Sequence, residues 1–97
     1  ALVNSKTLLK VKSLNLYRNA IKDEGAIIFA NENQLEKIED LDLAQNEIGD
    51  EGILALSQSK KLPDLVSIAL DNNFSSTEGK EEAKVGPNFK KLQSLNL

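Results

Sequence analysis

A repeating stack of strand–helix units, an α/β solenoid, is the fold class to which this 97-residue chain points. Three observations converge on it. The block Ile38, Leu41, Leu43, Asn46, Ile48 recurs 27 residues earlier as Val11, Leu14, Leu16, Asn19, Ile21, and 27 later as Leu65, Ile68, Leu70, Asn73. One more step gives Leu92, Leu95 and Leu97, without insertion or deletion. Within each block apolar residues alternate with polar ones, the period of a short strand with one buried face. After the blocks come glycines in the same phase, at 25, 52 and 79, and in the first unit apolar residues at i, i+3 and i+4, a helical spacing that Ile53, Leu56 and Ser57 match in the second. A fixed period of this size means units that bury their apolar faces only by stacking. The expected organisation is one array over 1–97: a partial unit at 1–10, full units at 11–37, 38–64 and 65–91, and a partial unit at 92–97.

Residues 1–10 read as the end of an earlier unit, because Leu2 and Leu8 sit 27 residues before Phe29 and Leu35. Both ends of the chain cut across the period, the pattern expected of a piece of a longer array, since a complete solenoid needs polar caps. Parallel strands are expected at 11–16, 38–43, 65–70 and 92–97, with Leu14, Leu41, Ile68 and Leu95 in one buried line. Leu16, Leu43, Leu70 and Leu97 form a second line. In the first unit Asn19 marks the turn, where a side-chain amide bonds backbone groups that the turn leaves unpaired. A helix then opens at Lys22 or Asp23, with Asp23 as a suitable N-cap and Asp23 and Glu24 favoured by the helix dipole. Gly25, Ala26, Phe29 and Ala30 make its inner stripe, Asn31 to Asn33 its stop, and Leu35 closes the layer.

The second unit repeats this closely, with Gly49-Asp50-Glu51-Gly52 in place of Lys22-Asp23-Glu24-Gly25 and with Ile53, Leu56 and Ser57 facing inward. Pro63 blocks any helical continuation. Glycine costs a helix about 1 kcal/mol relative to alanine, so its recurrence at 25, 52 and 79 points to a close helix–strand approach. The third unit keeps the strand and degrades the helix. Thr77 stands at the aspartate cap position, Lys80 and Glu82 replace the apolar pairs Ala26/Ile53 and Ile28/Ala55, and Ser75 replaces Ile21/Ile48. Phe74, one residue early, is expected to plug the gap, Ala83 and Val85 to face inward, and Gly86-Pro87 to end the segment.

Composition narrows the function classes. Aromatic content is 4%, so Leu, Ile and Val carry the burial, at roughly 1.5–3 kcal/mol for each fully buried large side chain. Net charge is −3, and residues 38–64 set Lys60 and Lys61 against Glu39, Asp40, Asp42, Glu47, Asp50, Glu51 and Asp64. A binder of phosphate backbones needs the opposite sign, so nucleic acid is not an expected partner. Nor is a membrane: no apolar run reaches the roughly 18–20 residues of a span, and no charged-then-apolar leader opens the chain. Without cysteine or histidine there is no disulfide, no thiolate metal site and no histidine-based triad.

The pattern L-x-x-L-x-L-x-x-N-x-I followed by G-D-E-G, seen here through Leu41 to Gly52, resembles the ribonuclease-inhibitor-like leucine-rich repeats. The resemblance covers nearly the whole chain and departs from the family at the third helix. It implies a curved, right-handed α/β stack with parallel strands on the concave face and helices outside. It further implies an intracellular, cytoplasmic protein, because secreted relatives have shorter units and cysteine-rich caps.

With the leucines facing in, the intervening strand residues face out in columns. Ser13, Asp40, Ser67 and Ser94 form the first, Asn15, Asp42, Ala69 and Asn96 the second, and Tyr17, Ala44 and Asp71 the third. Arg18, Gln45 and Asn72 follow at the strand ends. The candidate partner-binding set is Tyr17, Arg18, Asp40, Asp42, Gln45, Asp71 and Asn72: an acidic patch beside a tyrosine and an arginine, types enriched in interface hot spots. No metal is expected, because a hard cation wants six to eight oxygens within about 2.5 Å and strand neighbours stand about 4.8 Å apart. No nucleophile or acid–base pair is present, so no enzyme activity and no cofactor are expected. Asn19, Asn46 and Asn73 read as structural. The expected function is a protein-interaction scaffold, or a regulatory array within a multidomain sensor or effector. The resemblance also includes GTPase-activating proteins of the Ran type, which use an arginine near the strand ends, and Arg18 is the sole arginine here. Self-association through exposed repeat ends is expected of this chain alone.

Overall fold

Alternating leucines require a sheet with one covered face, and four short parallel strands supply it across residues 11–97, the span described by the computed structural model. The strands are β1 (Ser13–Asn15), β2 (Asp40–Asp42), β3 (Ser67–Ala69) and β4 (Ser94–Asn96). They pair in sequence order, and every partner lies 27 residues on: Leu14 with Leu41, Leu41 with Ile68, Ile68 with Leu95. The partial unit at 1–10, with Leu2 and Leu8, lies outside the described residues.

Regular strand geometry is confined to three residues per unit, shorter than the six expected. The reason lies at both strand ends. Before β2, Glu39 and Asp40 both donate to the carbonyl of Lys12, at 2.7 and 3.0 Å. After the strands the backbone turns left-handed at Arg18, Gln45 and Asn72, with φ of 57°, 54° and 58°. Cross-unit bonding nonetheless continues past the strands, from Leu16 N–H to Asp42 O and from Arg18 N–H to Ala44 O.

Helices α1 (Lys22–Glu32), α2 (Asp50–Ser57) and α3 (Thr77–Lys84) alternate with the strands, and a short α4 (Pro87–Lys90) precedes β4. Leu41, Leu43, Ile68 and Leu70 are buried, whereas Leu14, Leu16, Leu95 and Leu97 are half-buried. From the helices come Ala26, Ala30, Ile53, Leu56 and Ala83, all in one core. The third layer departs from expectation at two side chains. Phe74 does not plug the gap and is 69% exposed. It falls on the exposed position of Glu47, while Ser75 takes the inner place and donates to Ile48 O at 3.2 Å. Val85 is 71% exposed, because it falls on the outward positions of Asn31 and Gln58. Gly86-Pro87 does end α3, which stops at Lys84, but a second short helix follows. Proline sits in the first turn of α4, where its missing N–H is no loss. Phe89 then closes the layer at the place of Leu35 and Leu62, 2% exposed.

Helix capping also departs from expectation, since it runs between units. The N-cap of α1 is Ile21, with no side-chain bond. Asp23 instead reaches the next unit, where its Oδ1 accepts from Gly49 N–H at 2.5 Å and Gly52 N–H at 3.1 Å, at the start of α2. Asp50 does the same one unit on. It accepts from Ser76 N–H and from the Ser76 hydroxyl, both at 2.7 Å. Ser76, not Thr77, then caps α3 through Gly79 N–H at 3.0 Å. These contacts explain Gly52 and Gly79. A Cβ on Gly52 would lie 2.7 Å from Asp23 Oδ1, and one on Gly79 would overlap the Asp50 carboxylate. The close approach is therefore to the preceding unit's aspartate rather than to a strand.

Asparagines join the units at the opposite end of each turn. Asn46 accepts from the N–H groups of Asn19 and Ile21 at 2.8 and 3.3 Å and donates to Leu16 O and Ala44 O at 2.8 and 3.1 Å. Asn73 repeats this set on Asn46, Ile48, Leu43 and Leu70. Their structural role follows from these bonds.

Candidate interaction surface

The outward strand residues line one open groove of about 330 Å³ across all four strands. Its walls are the first two columns, Ser13, Asp40, Ser67 and Ser94 with Asn15, Asp42, Ala69 and Asn96. Leu14, Leu41 and Ile68 of the strands also line it, so polar and apolar surface are mixed in the groove. A small-molecule pocket is mostly apolar and encloses its ligand. This groove is open, and the outward side chains along it are hydroxyls, amides and carboxylates beside the Ala69 methyl.

Of the candidate residues, Asp40 and Asp42 lie in the groove. The Ser67 hydroxyl donates to Asp40 Oδ1 at 2.5 Å. Asp42 Oδ1 accepts from Ala44 N–H at 3.0 Å, the bond that Asn15 makes to Tyr17 N–H at 2.9 Å one unit earlier. In each carboxylate the bond falls on one oxygen, and the second accepts none among the described residues. Asp71 lies beyond the groove wall, with Asn72 Nδ2 at 3.1 Å and Asn96 Nδ2 at 3.4 Å. Ala44, placed in the outward third column, is instead buried, a methyl between larger residues at the same position of the flanking units. Tyr17 is 45% exposed. Among the described residues the sole ion pair is Lys84–Glu81 on α3, so the three carboxylates face no cation of their own chain. Nor does any group of three acidic side chains gather around a metal-sized space among the described residues.

Arg18, Gln45 and Asn72 form a separate row along the edge of the sheet, all exposed and all left-handed. Of the three, only asparagine is a type that tolerates this backbone readily. The structure therefore divides the seven candidates into two groove residues, a flanking pair (Tyr17 and Asp71) and an edge row. Sequence reasoning passed over the serines at 13, 67 and 94 as site residues. The signal was present, since they share the 27-residue phase of Asp40.

A family model described as Leucine Rich repeat matches residues 7–30 and 34–57, two segments whose starts and ends are each 27 residues apart. No curated protein and no solved structure gave a significant match.

Proposed function

We propose, for a chain that carries leucine-rich repeats and folds as their α/β solenoid, a role as a non-catalytic scaffold that binds a protein partner on its concave strand face. Domains of this kind generally mediate protein–protein interaction and are typically non-catalytic. The observation that carries the reading is the open groove crossing β1 to β4, with Asp40 and Asp42 in it and neither carboxylate in an ion pair among the described residues. The partner surface it fits is basic or rich in hydrogen-bond donors. The strand-plus-helix unit of 27 residues supports the ribonuclease-inhibitor-like subclass and, with it, a cytoplasmic setting.

Binding kinetics of a captured partner test the face. Asp40→Asn with Asp42→Asn keeps the shape and the bond to Ala44 N–H, as Asn15 demonstrates. The double change is expected to slow association by about tenfold at low salt and to flatten its salt dependence, because charge acts mainly on encounter. Tyr17→Ala is expected to speed dissociation about fivefold or more, since it removes contact area. Glu32→Gln, on the helix side, is expected to change neither. Binding that responds to Glu32 and ignores the strand face would overturn this reading.

A further inference from the structure

Side chains of the second outward column bond back to their own strand, with one gap. Asn15 Oδ1 accepts from Tyr17 N–H at 2.9 Å, and Asp42 Oδ1 accepts from Ala44 N–H at 3.0 Å. Tyr17, Ala44 and Asp71 each follow that column by two residues and share the 27-residue phase. In the third unit the column holds Ala69, which has no acceptor to offer, and Asp71 N–H finds no acceptor among the described residues. The pairing register sets Ala69 between Asp42 on β2 and Asn96 on β4. A methyl thus stands where both neighbours carry a longer side chain, and the space above it belongs to the groove. One donor, Asp71 N–H, and two acceptors border this notch. The acceptors are the second Asp42 oxygen and Asn96 Oδ1, since the Asn96 amide nitrogen is turned to Asp71 at 3.4 Å. We propose that the notch takes the side-chain carboxamide of an asparagine or glutamine from the protein partner, an inference that rests on the strand face being the partner surface.

A carboxamide carries an acceptor oxygen and two donor hydrogens, the complement of one N–H and two acceptors. Its oxygen takes the place at Asp71 N–H that Asn15 and Asp42 fill in the units before, and its NH2 group faces Asp42 and Asn96. Other chemistries satisfy less of the notch. A carboxylate accepts from the N–H but has no hydrogen to give, and it lies against the like charges of Asp42 and Asp71. An ammonium or guanidinium group serves Asp42 but has no acceptor for Asp71 N–H. A hydroxyl gives only one hydrogen, as does a peptide group of the partner's main chain. That main chain would also have to descend among four side chains, those of Asp42 and Asn96 across the sheet and of Ser67 and Asp71 along the strand. An incoming side chain reaches the Ala69 methyl from above them.

Nuclear magnetic resonance of the 97-residue chain tests first the open donor and then its occupant. In the free chain Asp71 N–H is expected to exchange with solvent at least about tenfold faster than Tyr17 and Ala44 N–H, corrected for sequence, because an unpaired amide lacks their protection. Ala69→Asn, which gives the column the residue it carries at 15 and 96, is expected to bring Asp71 to the slower rate. Binding is then read by titration with the N-acetyl, N-methylamide derivatives of glutamine, glutamate and alanine, up to about 0.1 M, where a few hydrogen bonds of ordinary net strength register. The glutamine derivative is expected to move the Asp71 N–H signal saturably and to bind at least about fivefold tighter than the other two. Ala69→Asn is expected to abolish that effect, and Asp42→Asn, which exchanges the second oxygen for an NH2 group, to weaken it at least about threefold. An Asp71 N–H already as protected as the other two overturns the proposal, as does the absence of a saturable shift with glutamine. Equal binding of the alanine derivative, which would assign the contact to a peptide group, or of the glutamate derivative overturns it as well. With a captured partner, Ala69→Asn is expected to speed dissociation about fivefold. A partner that responds to Asp40→Asn with Asp42→Asn and not to Ala69→Asn removes this inference and leaves the strand-face reading standing; one that ignores all three removes both.

Discussion

Asn46 shows how much of the stack one side chain holds. Its amide satisfies two N–H groups and two carbonyls in the turns of two units, and it is fully buried. Asn46→Ala orphans all four, at about 1–3 kcal/mol per buried group before relaxation. The expected net loss is roughly 2–4 kcal/mol in a denaturant titration, and an unchanged midpoint would refute the bracing role. The neighbouring residue is expected to behave in the opposite sense. Gln45 holds a left-handed backbone that costs an ordinary residue about 1–2 kcal/mol, whereas glycine adopts it freely. Gln45→Gly should therefore raise the thermal midpoint, by up to about 1 kcal/mol of stability after glycine's greater unfolded-state entropy is counted. The asparagines were readable in the sequence because they keep one phase and have a known turn chemistry. The left-handed row was not, since only Asn72 among 18, 45 and 72 is a residue that announces it.

Helices here depend on the unit before them, and the joint between α2 and α3 exposes that dependence cleanly. The three atoms nearest a Cβ at Gly79 all belong to the Asp50 carboxylate, whereas at Gly52 the nearest is the Ile48 methyl. Gly79→Ala should destabilise the chain even though alanine favours a helix by about 1 kcal/mol. In Asp50→Ala the same Gly79→Ala change should be neutral or stabilising, so a double-mutant cycle in urea reads the coupling directly. Additive effects would mean that the carboxylate is not the obstacle. The Ser76 hydroxyl, and then the Ser76 backbone N–H, hold the Asp50 carboxyl below its ordinary pKa of 3.8. A lowered folded-state pKa contributes stability above the unfolded value, and that contribution is lost as pH falls from about 3.8 through the folded value. Acid unfolding of Asp50→Asn should lack this component. The joints through Asp23 and Asp50 could not be read locally, because donor and acceptor lie 26 or 29 residues apart. Phe89 was missed for another reason: Gly86-Pro87 looked like a stop, and the phase that links residue 89 to Leu35 and Leu62 was not followed past it.

Across the molecule, burial is greatest in the middle units and falls toward the strands at either side of the described stack. Leu41 is 2% exposed between two neighbouring strands, while Leu95, at the same phase on β4, is only half-buried. Leu41→Ala should therefore cost about 2–5 kcal/mol, and Leu95→Ala distinctly less, as measured by the denaturation midpoint. Equal costs would contradict a stack in which each unit is held by its neighbours. The architecture was legible from the leucine phase, strand order and pairing register included. The face offered to a partner was legible only in part. Alternation tells which residues point outward, whereas which of them share a groove depends on where the strands stop.

The joints between units carry one more consequence, for how such a sequence can change by duplication and loss. Every joint between units described above links residues about one unit apart, and the linked positions recur with the period. Excision of residues 38–64 would leave Asp23 facing Ser76 and Gly79, and Asn73 facing the turn at Asn19, each a pairing of the kind already in use. Removal of three residues from the same stretch would leave the reading frame intact and put every joint that spans the cut out of phase. Whole units are thus the smallest length by which this chain can grow or shrink without loss of its joints.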